Sequence, residues 1–157
     1  MKKLILAAMA VVALCACQGE REYLSYRGLP MNMPFKAFQD SMMKRGFQVD
    51  TTATATGSLA LFNPAAEYTV TVTYHKDSID AIQENYAYST NDSTAALFQP
   101  TRDSLQQILG GQPFMPKRGD DHKVCRFETK KGCVSVILEN TNTPTFNVLY
   151  ETATVTK

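Results

Sequence analysis

Six segments of the chain alternate between apolar and polar residues with a period of two, and they fall into two groups of three. The segments are 57–63, 68–75 and 79–88 in the first group, and 123–129, 133–140 and 146–155 in the second. Such alternation predicts β-strands, because successive side chains of a strand point to opposite sides. Segment 69–74 favours a strand most strongly, since its residues are β-branched or aromatic. With turn sequences at 76–78, 130–132 and 140–144, the pattern predicts an antiparallel sheet of six or more strands.

A segment with helical periodicity precedes the first group of strands. Phe35, Phe38 and Met42 recur at steps of three and four residues, which places them on one face of a helix. Pro34 stands where the first turn of a helix tolerates proline, and Gly46 stands where a glycine would end the helix. The sequence therefore predicts a helix between these two residues.

A second helical segment precedes the second group of strands. Pro100-Thr101 is expected to form its N-terminus, and Gly110-Gly111 is expected to end it. Leu105, Ile108 and Leu109 lie between these signals at helical spacing and are expected to face the core. The polar stretch 91–95 would then join the two halves of the chain.

The two halves correspond at a nearly constant offset. Residues 39–42 match 102–105 at an offset of 63, the strand beginning at Thr69 matches that at Cys133 at 64, and Tyr88 matches Tyr150 at 62. Near-constant offsets across a helix and three strands indicate an internal repeat, although similar patterns can also align by chance.

The prediction is an α+β fold for one domain at 28–157, made of two helix-plus-three-strand half-repeats at 28–90 and 95–157. Both helices are expected to cover one face of the antiparallel sheet, because each unit carries its helix in the same place before its strands.

The beginning of the chain is a predicted export signal. Lys2 and Lys3 precede an uninterrupted apolar run at 4–14, which is shorter than the roughly 20 residues of a membrane-spanning helix. The following Leu14-Cys15-Ala16-Cys17 resembles the lipobox of bacterial lipoproteins. This resemblance implies cleavage after Ala16 and a lipid on the Cys17 thiol, with 1–17 as signal peptide and 18–27 as tether. The alternative is an ordinary signal peptide with an incidental pair of cysteines.

The residues after Cys17 bear on location. Gln18 is unlike the aspartate that retains lipoproteins at the inner membrane, and Glu20 and Glu22 resemble the export signal of surface lipoproteins in Bacteroidetes-type bacteria. The resemblance implies a lipid-anchored protein of the outer membrane that faces either the periplasm or the cell surface. Anchoring would follow from burial of the acyl chains, at roughly 0.8 kcal/mol per CH₂.

Charge and composition limit the classes of partner. Loss of 1–17 leaves 140 of the 157 residues, with 14 basic and 15 acidic side chains and no block of one sign. A nucleic-acid partner is therefore not indicated. Ample Val, Leu, Ile and Phe predict a folded core rather than disorder.

Two cysteines remain beside the lipidation site. Cys125 and Cys133 flank a predicted hairpin that turns at 130–132. Outside the cytoplasm, thiols on neighbouring strands can form a disulfide. The alternative is two buried reduced thiols that act as small apolar residues.

The arrangement resembles two kinds of known protein. One is the duplicated α/β architecture of secreted β-lactamase-inhibitor-like proteins and the related outer-membrane assembly lipoproteins. The other is a broad group of small, functionally uncharacterised Bacteroidetes lipoproteins, with a Gly28-Leu-Pro-Met pattern ahead of a helix that ends in Gly46-Phe47. Asn32 and Met33 depart from the Gly and Ser or Thr that such proteins often carry. The resemblance implies binding through an exposed sheet face, and fold alone does not establish function.

No catalytic motif stands out, so the chain is predicted not to be an enzyme. It has neither a Gly-x-Ser-x-Gly elbow nor a phosphate-binding Gly-x-x-x-x-Gly-Lys. Its histidines are His75 and His122, whereas triads and zinc sites usually need histidine with ordered partners. Residues 120–122 (Asp-Asp-His) are expected to form a solvated loop rather than a metal site. No cofactor or metal is expected.

Two segments are candidates for a binding surface. Tyr86 and Tyr88 share one face of a predicted strand, and Phe114 and Met115 lie in a loop with two prolines. Packing in the sheet and core is the alternative for both pairs. The sequence thus predicts a membrane-tethered, non-enzymatic interaction module that contacts another envelope protein, with a receptor for a glycan or peptide as the alternative.

Overall fold

The computed structural model describes residues 23–65, 68–87, 90–116, 119, 122–140 and 143–153. Within these ranges the chain forms two helices and nine strands. In chain order they are β1 (Ser25–Tyr26), β2 (Leu29–Pro30), α1 (Phe35–Lys44), β3 (Gln48–Val49), β4 (Ser58–Phe62), β5 (Tyr68–His75), β6 (Ser78–Ala87), α2 (Asn91–Leu109), β7 (His122–Thr129), β8 (Gly132–Glu139) and β9 (Thr145–Thr152). The predicted mixed α+β class is confirmed, and the six predicted strands are present within one to three residues of their predicted bounds.

One seven-stranded antiparallel sheet organises the domain. Its strand order is β3-β4-β5-β6-β9-β8-β7, and β1 pairs separately with β2. Consecutive strands are joined by hairpins at each side of the sheet, while the central pair joins β6 to β9, with Glu84 opposite Val148. The two predicted groups of three strands therefore meet at the β6–β9 pair, to which each group contributes one strand. The duplication itself remains a prediction, because strand order does not by itself demonstrate a repeat.

The register divides the sheet into a covered and an uncovered face. Val72, Ile82, Tyr150 and Val134 follow one another across four strands on the covered face. Three of these four side chains are buried, and Tyr150 is partly buried against the same core. Phe38 and Met42 of α1 and Phe98 and Leu105 of α2 belong to the same core cluster. The buried residues of both helices therefore join one core with this face.

The first helix confirms its sequence prediction, including its end. Phe47 N–H donates to Met42 O over 3.2 Å and Gly46 N–H donates to Met43 O over 3.0 Å, which is the double hydrogen bond of a Schellman motif. Gly46 has φ +88°, a left-handed conformation that favours glycine. Phe47 and Met42 are both buried, as the apolar contact of this motif requires.

The second helix begins ten residues before its predicted start, so that prediction and the junction at 91–95 are wrong. Thr90 is the N-cap, and its hydroxyl accepts from Ser93 N–H at 3.2 Å. The helix continues through Pro100, which is exposed. Buried Thr94 and Phe98 explain the early start, because tertiary packing holds the turns before the proline in helical form. Ile108, expected in the core, is 72% exposed.

A short hairpin at the N-terminal end was absent from the prediction. Leu24 and Tyr26 are buried in the core cluster, and Tyr26 packs against Phe38 of α1 and Tyr150 of β9. Residues 23–27, assigned to the tether from sequence, therefore belong to the folded domain. Neither α1 nor α2 combines the length and apolar character that a membrane span would need.

Candidate functional site

The uncovered face of the sheet carries an apolar patch outside the core. Val124 lies opposite Ile137 in the β7–β8 pair, and Leu149 of β9 lies opposite Ser135 of β8, one step along this face from Ile137. All three apolar side chains are half-buried, and none belongs to the core cluster. We call the surface formed by these residues and their neighbours of the same sheet side the open face.

Phe114 extends the open face beyond the edge strand β7. Its N–H donates to Arg126 O over 2.8 Å, and Arg126 N–H donates to Phe114 O over 2.9 Å. This isolated antiparallel bridge places the side chain of Phe114 on the same side as Arg126. Arg126 lies opposite Ser135 on the open face, and Phe114 is 64% exposed. An exposed aromatic ring therefore lies at the border of the apolar patch.

The β5–β6 part of the open face is polar and uncharged. Thr71 lies opposite Gln83 on the β5–β6 pair. Asn85 Nδ2 donates to Thr71 Oγ1 over 3.2 Å, and Gln83 Nε2 donates to Asn85 Oδ1 over 2.6 Å. These groups hydrogen-bond along the surface of the sheet, so this polar part presents ordered amides and hydroxyls beside the apolar patch.

A charged strip runs along one end of the open face. Arg126 forms ion pairs with Glu128 and with Glu151, each at 3.4 Å. The thiol of Cys133 donates to Glu151 Oε2 over 3.0 Å. Burial, together with this hydrogen bond and the carboxylate charge, raises the pKa of Cys133 to about 11. The thiol is therefore protonated and unreactive at neutral pH.

The register separates the two predicted disulfide partners. Cys125 lies opposite Val136 on the covered face, whereas Cys133 lies opposite Glu128 on the open face. Both thiols are free and buried. The structure thus contains the second sequence alternative, two reduced cysteines, because side chains three residues out of register point to opposite sides of a hairpin.

A second cluster of functional groups lies on the covered face, where β1 and β2 cross the central strands. Glu84 of β6 is 3% exposed. Its carboxylate accepts hydrogen bonds from Arg27 Nε and, at 2.8 Å, from Tyr86 Oη. Arg27 Nη2 also donates to Tyr86 Oη over 3.2 Å. A buried carboxylate is thereby paired with a guanidinium whose side chain is 46% exposed.

Aromatic rings surround this ion pair. The Arg27 guanidinium carbon lies 4.7 Å from the centroid of the Tyr68 ring, and that ring stacks on Tyr86 at 4.9 Å. Tyr26 Oη is buried and has no hydrogen-bond partner among the described residues. Burial and the charge of Glu84 raise the pKa of Tyr26, and burial raises the pKa of Tyr150 to about 12. These tyrosines are therefore neutral hydroxyl groups at physiological pH.

The sequence-predicted surface residues do not form one site. Tyr86 lies on the covered side, in the cluster of Tyr26, Tyr68, Tyr86 and Tyr150 around the Arg27–Glu84 pair (the tyrosine cluster). Tyr88 lies outside the described residues. Phe114 lies on the open face beyond β7, four strand spacings from β6, or roughly 19 Å. Phe114 and Met115 are 64% and 47% exposed, so the alternative in which both fold onto the core is wrong.

Sequence reasoning missed Arg27 and Glu84. Glu84 lies between Ile82 and Tyr86 on the inward side of an alternating strand, and a charged residue at such a position signals a buried partner. The partner was not identifiable, because Arg27 is distant in sequence and was assigned to the tether, whereas it belongs to the two-residue turn between β1 and β2.

The remaining candidates show no metal-binding arrangement within the described part of the chain. His75 is exposed at the end of β5, and His122 Nδ1 lies 3.3 Å from Glu139 Oε1. Within the described ranges, no group of three His, Cys, Asp or Glu side chains has an arrangement that could hold a metal ion. Asp120, Asp121 and the predicted lipidation site Cys17 lie outside those ranges.

Two surfaces therefore combine the features expected of a functional site, namely the open face and the Arg27–Glu84 cluster. Comparison of the chain with protein-family models, with curated protein sequences and with solved structures finds no match. Arguments about function consequently rest on the geometry of these two surfaces.

Proposed function

We propose that the protein is a non-enzymatic interaction module of the cell envelope and that its partner protein binds the open face. The observation that carries this proposal is an apolar patch on a sheet face that the core leaves uncovered. Phe114, Val124, Ile137 and Leu149 contribute the patch, and hydroxyl and amide groups border it. An apolar centre with a polar rim is the usual anatomy of a protein interface.

The size of the open face fits this proposal. Six strands at a spacing of ~4.8 Å and about 20 Å of strand length give a surface of roughly 600 Å². Each partner of a specific complex contributes about 800 Å², so the open face and its exposed border at Phe114 approach that area. Its polar side chains are already ordered, so little side-chain entropy is lost when a partner binds.

The proposal includes anchoring and ancestry. The lipobox-like sequence supports a lipid on Cys17 and a place at the outer membrane, facing the periplasm or the cell surface. The strand order, in which β4–β6 and β7–β9 meet at the central β6–β9 pair, supports two duplicated half-repeats. In this arrangement the open face spans both halves, so one partner would contact both.

The test is site-specific photo-cross-linking of the full-length protein in cells of its source bacterium. A benzoylphenylalanine replaces Phe114 in one variant and Met43 in the matched control, since Met43 is also an exposed apolar residue, at 49%, but lies on α1. One recurring protein adduct at position 114 and none at position 43 is the expected result. Equal adducts at both positions, or none at 114 with one at 43, would refute the assignment of the open face.

A receptor for a glycan or peptide is the second candidate function, and the tyrosine cluster favours it. Tyr26, Tyr68, Tyr86 and Tyr150 surround the Arg27–Glu84 pair on the central strands β6 and β9 and the neighbouring strands β1 and β5. Tyr26 is buried, whereas the half-buried rings of Tyr68, Tyr86 and Tyr150 can offer a ligand aromatic surface and hydroxyl groups. Absence of any protein adduct at Phe114, together with retention of a glycan or peptide by the purified protein, would favour this function.

A further inference from the structure

Arg27 is held in a fixed position with part of its guanidinium unused. Nε donates to Glu84 and Nη2 donates to Tyr86, and the ring of Tyr68 lies beneath the group at 4.7 Å. Among the described residues, Nη1 has no hydrogen-bond partner. Because the side chain remains 46% exposed, its remaining N–H groups are directed to the solvent side of the cluster. The guanidinium is thus oriented before any ligand arrives.

The backbone at this position is also constrained. Arg27 has φ +46° and Gly28 has φ +82°, as the two-residue turn between β1 and β2 requires. A side chain other than glycine, asparagine or aspartate is uncommon in this left-handed region. Arg27 therefore adopts a backbone conformation that is strained for its side chain, and such strain is concentrated at functional sites.

The guanidinium of a second arginine lies beside the Arg27 backbone. Arg45 Nη1 donates to the backbone O of Arg27 over 3.0 Å. Both arginines are near enough to Tyr68 that their charges lower its pKa, although burial raises that pKa overall. Arg45 is exposed, and it forms no ion pair with a described residue.

Among the described residues, the charges of this cluster do not balance. Arg27 and Arg45 contribute two positive charges, and Glu84 contributes one negative charge that is turned inward and buried. The surface side therefore presents one unmatched positive charge, two planar guanidinium groups and the ring of Tyr68. A singly charged, planar oxyanion would complement this arrangement in charge and in shape.

We propose that Arg27 and Arg45 form a carboxylate-binding site for an acidic ligand. The carboxylate would accept hydrogen bonds from Arg27 Nη1 and from the guanidinium nitrogens of Arg45 that the Arg27 backbone does not use. Glu84 and Tyr86 position Arg27 and do not contact the ligand. A dianionic phosphate fits less well, because Glu84 already compensates one of the two positive charges.

The test is an NMR titration of the full-length protein in detergent micelles, followed through the Nε–Hε signals of arginine. The probes are N-acetylglutamate, an acetylated tetraglutamate peptide, the uncharged N-acetylglutamine and inorganic phosphate. We expect both acids, or the peptide alone, to shift the Arg27 and Arg45 signals, whereas N-acetylglutamine leaves them unchanged. Binding of both acids identifies a free carboxylate as sufficient, and binding of the peptide alone identifies an acidic segment as the ligand.

Variants separate a specific site from general electrostatics. Arg45→Gln removes one guanidinium of the proposed site and is expected to weaken binding about tenfold. Lys44→Gln is the matched control, because it removes the same charge from the neighbouring exposed residue of α1. Its affinity is expected to stay within about twofold of the unsubstituted protein.

Three outcomes would overturn the proposal. They are equal weakening by the two variants, tighter binding of phosphate than of either acid, and no response of the arginine signals to any carboxylate. This site is on the covered side of the sheet, whereas the proposed partner surface is the open face. Photo-cross-linking from Phe114 would therefore be unaffected if the carboxylate site fails, and the two proposals can be refuted separately.

Discussion

Replacing Arg27 with methionine is expected to destabilise the protein much more than replacing Glu84 with glutamine. The two residues share one ion pair but differ in environment, since the Glu84 side chain is 4% exposed and that of Arg27 is 46% exposed. Arg27→Met leaves a buried carboxylate, and the hydrogen-bond partner that remains to it among the described residues is Tyr86. Glu84→Gln leaves a guanidinium that water can hydrate.

The magnitudes follow from this difference. Removing one partner of a buried ion pair lowers the free energy of unfolding by about 3–5 kcal/mol. Because the Tyr86 hydrogen bond to Glu84 is retained, the loss expected for Arg27→Met is ~3 kcal/mol. Glu84→Gln loses charge-assisted hydrogen bonds without leaving a buried charge, which costs ~1–2 kcal/mol. At ~2–4 °C per kcal/mol for a chain of this size, Tm should fall by about 6–12 °C and by about 2–8 °C, respectively.

The assay is urea unfolding followed by far-ultraviolet circular dichroism, because the chain has no tryptophan to report by fluorescence. The double variant Arg27→Met with Glu84→Leu is the control, since replacing both partners by apolar groups is expected to bring stability back to within ~1–2 kcal/mol. A loss for Glu84→Gln equal to or greater than that for Arg27→Met would refute the reasoning that burial of the carboxylate decides the asymmetry.

Three further predictions concern other parts of the fold. The stabilisation from protonated Cys133 and Tyr150 should be fully present below about pH 9 and should be lost as pH rises through their folded pKa values of about 11 and about 12. The reason is that both groups bind their proton more tightly in the folded state. Thermal unfolding between pH 8 and pH 12 measures this, and a Tm that does not change with pH contradicts it. Pro100→Ala should raise the free energy of unfolding by about 1–3 kcal/mol, since an exposed proline inside α2 removes a helix hydrogen bond; unchanged or lower stability in urea would contradict it. Cys125 and Cys133 should react with a thiol reagent only after denaturation and without added reductant, and a requirement for reductant would indicate a disulfide.

The strands were predictable because their signal is local. Alternation in 68–75 reproduces β5 at both ends, and the strands of the second half agree with their predicted starts within one residue. The end of α1 was predictable for the same reason, because a glycine with positive φ followed by an apolar residue is encoded within a few positions. The start of α2 was not, since Pro100 is a strong local stop signal that the packing of Phe98 overrides.

The sites were predictable only in part. Phe114 was identified from the composition of its loop. Its place on the open face depends on the bridge to Arg126, and the register of that bridge is not visible in the sequence. The Arg27–Glu84 pair joins residues 57 positions apart, and Cys125 and Cys133 are kept apart by a hairpin register that is offset by three residues. Contacts of this kind are set by register and tertiary packing, which periodicity does not specify.

The N-terminal hairpin also determines how the domain would respond to mechanical force. The described chain enters the domain at residue 23, and Leu24 and Tyr26 are its first buried side chains. A pull on the N-terminus would therefore reach β1 before any strand of the main sheet. Two residue pairs and the Met31 N–H to Leu24 O hydrogen bond hold this short hairpin together, so the packing of Tyr26 and the Arg27–Glu84 pair would bear most of the load. The hairpin would detach first and leave the seven-stranded sheet closed by its longer strand pairs.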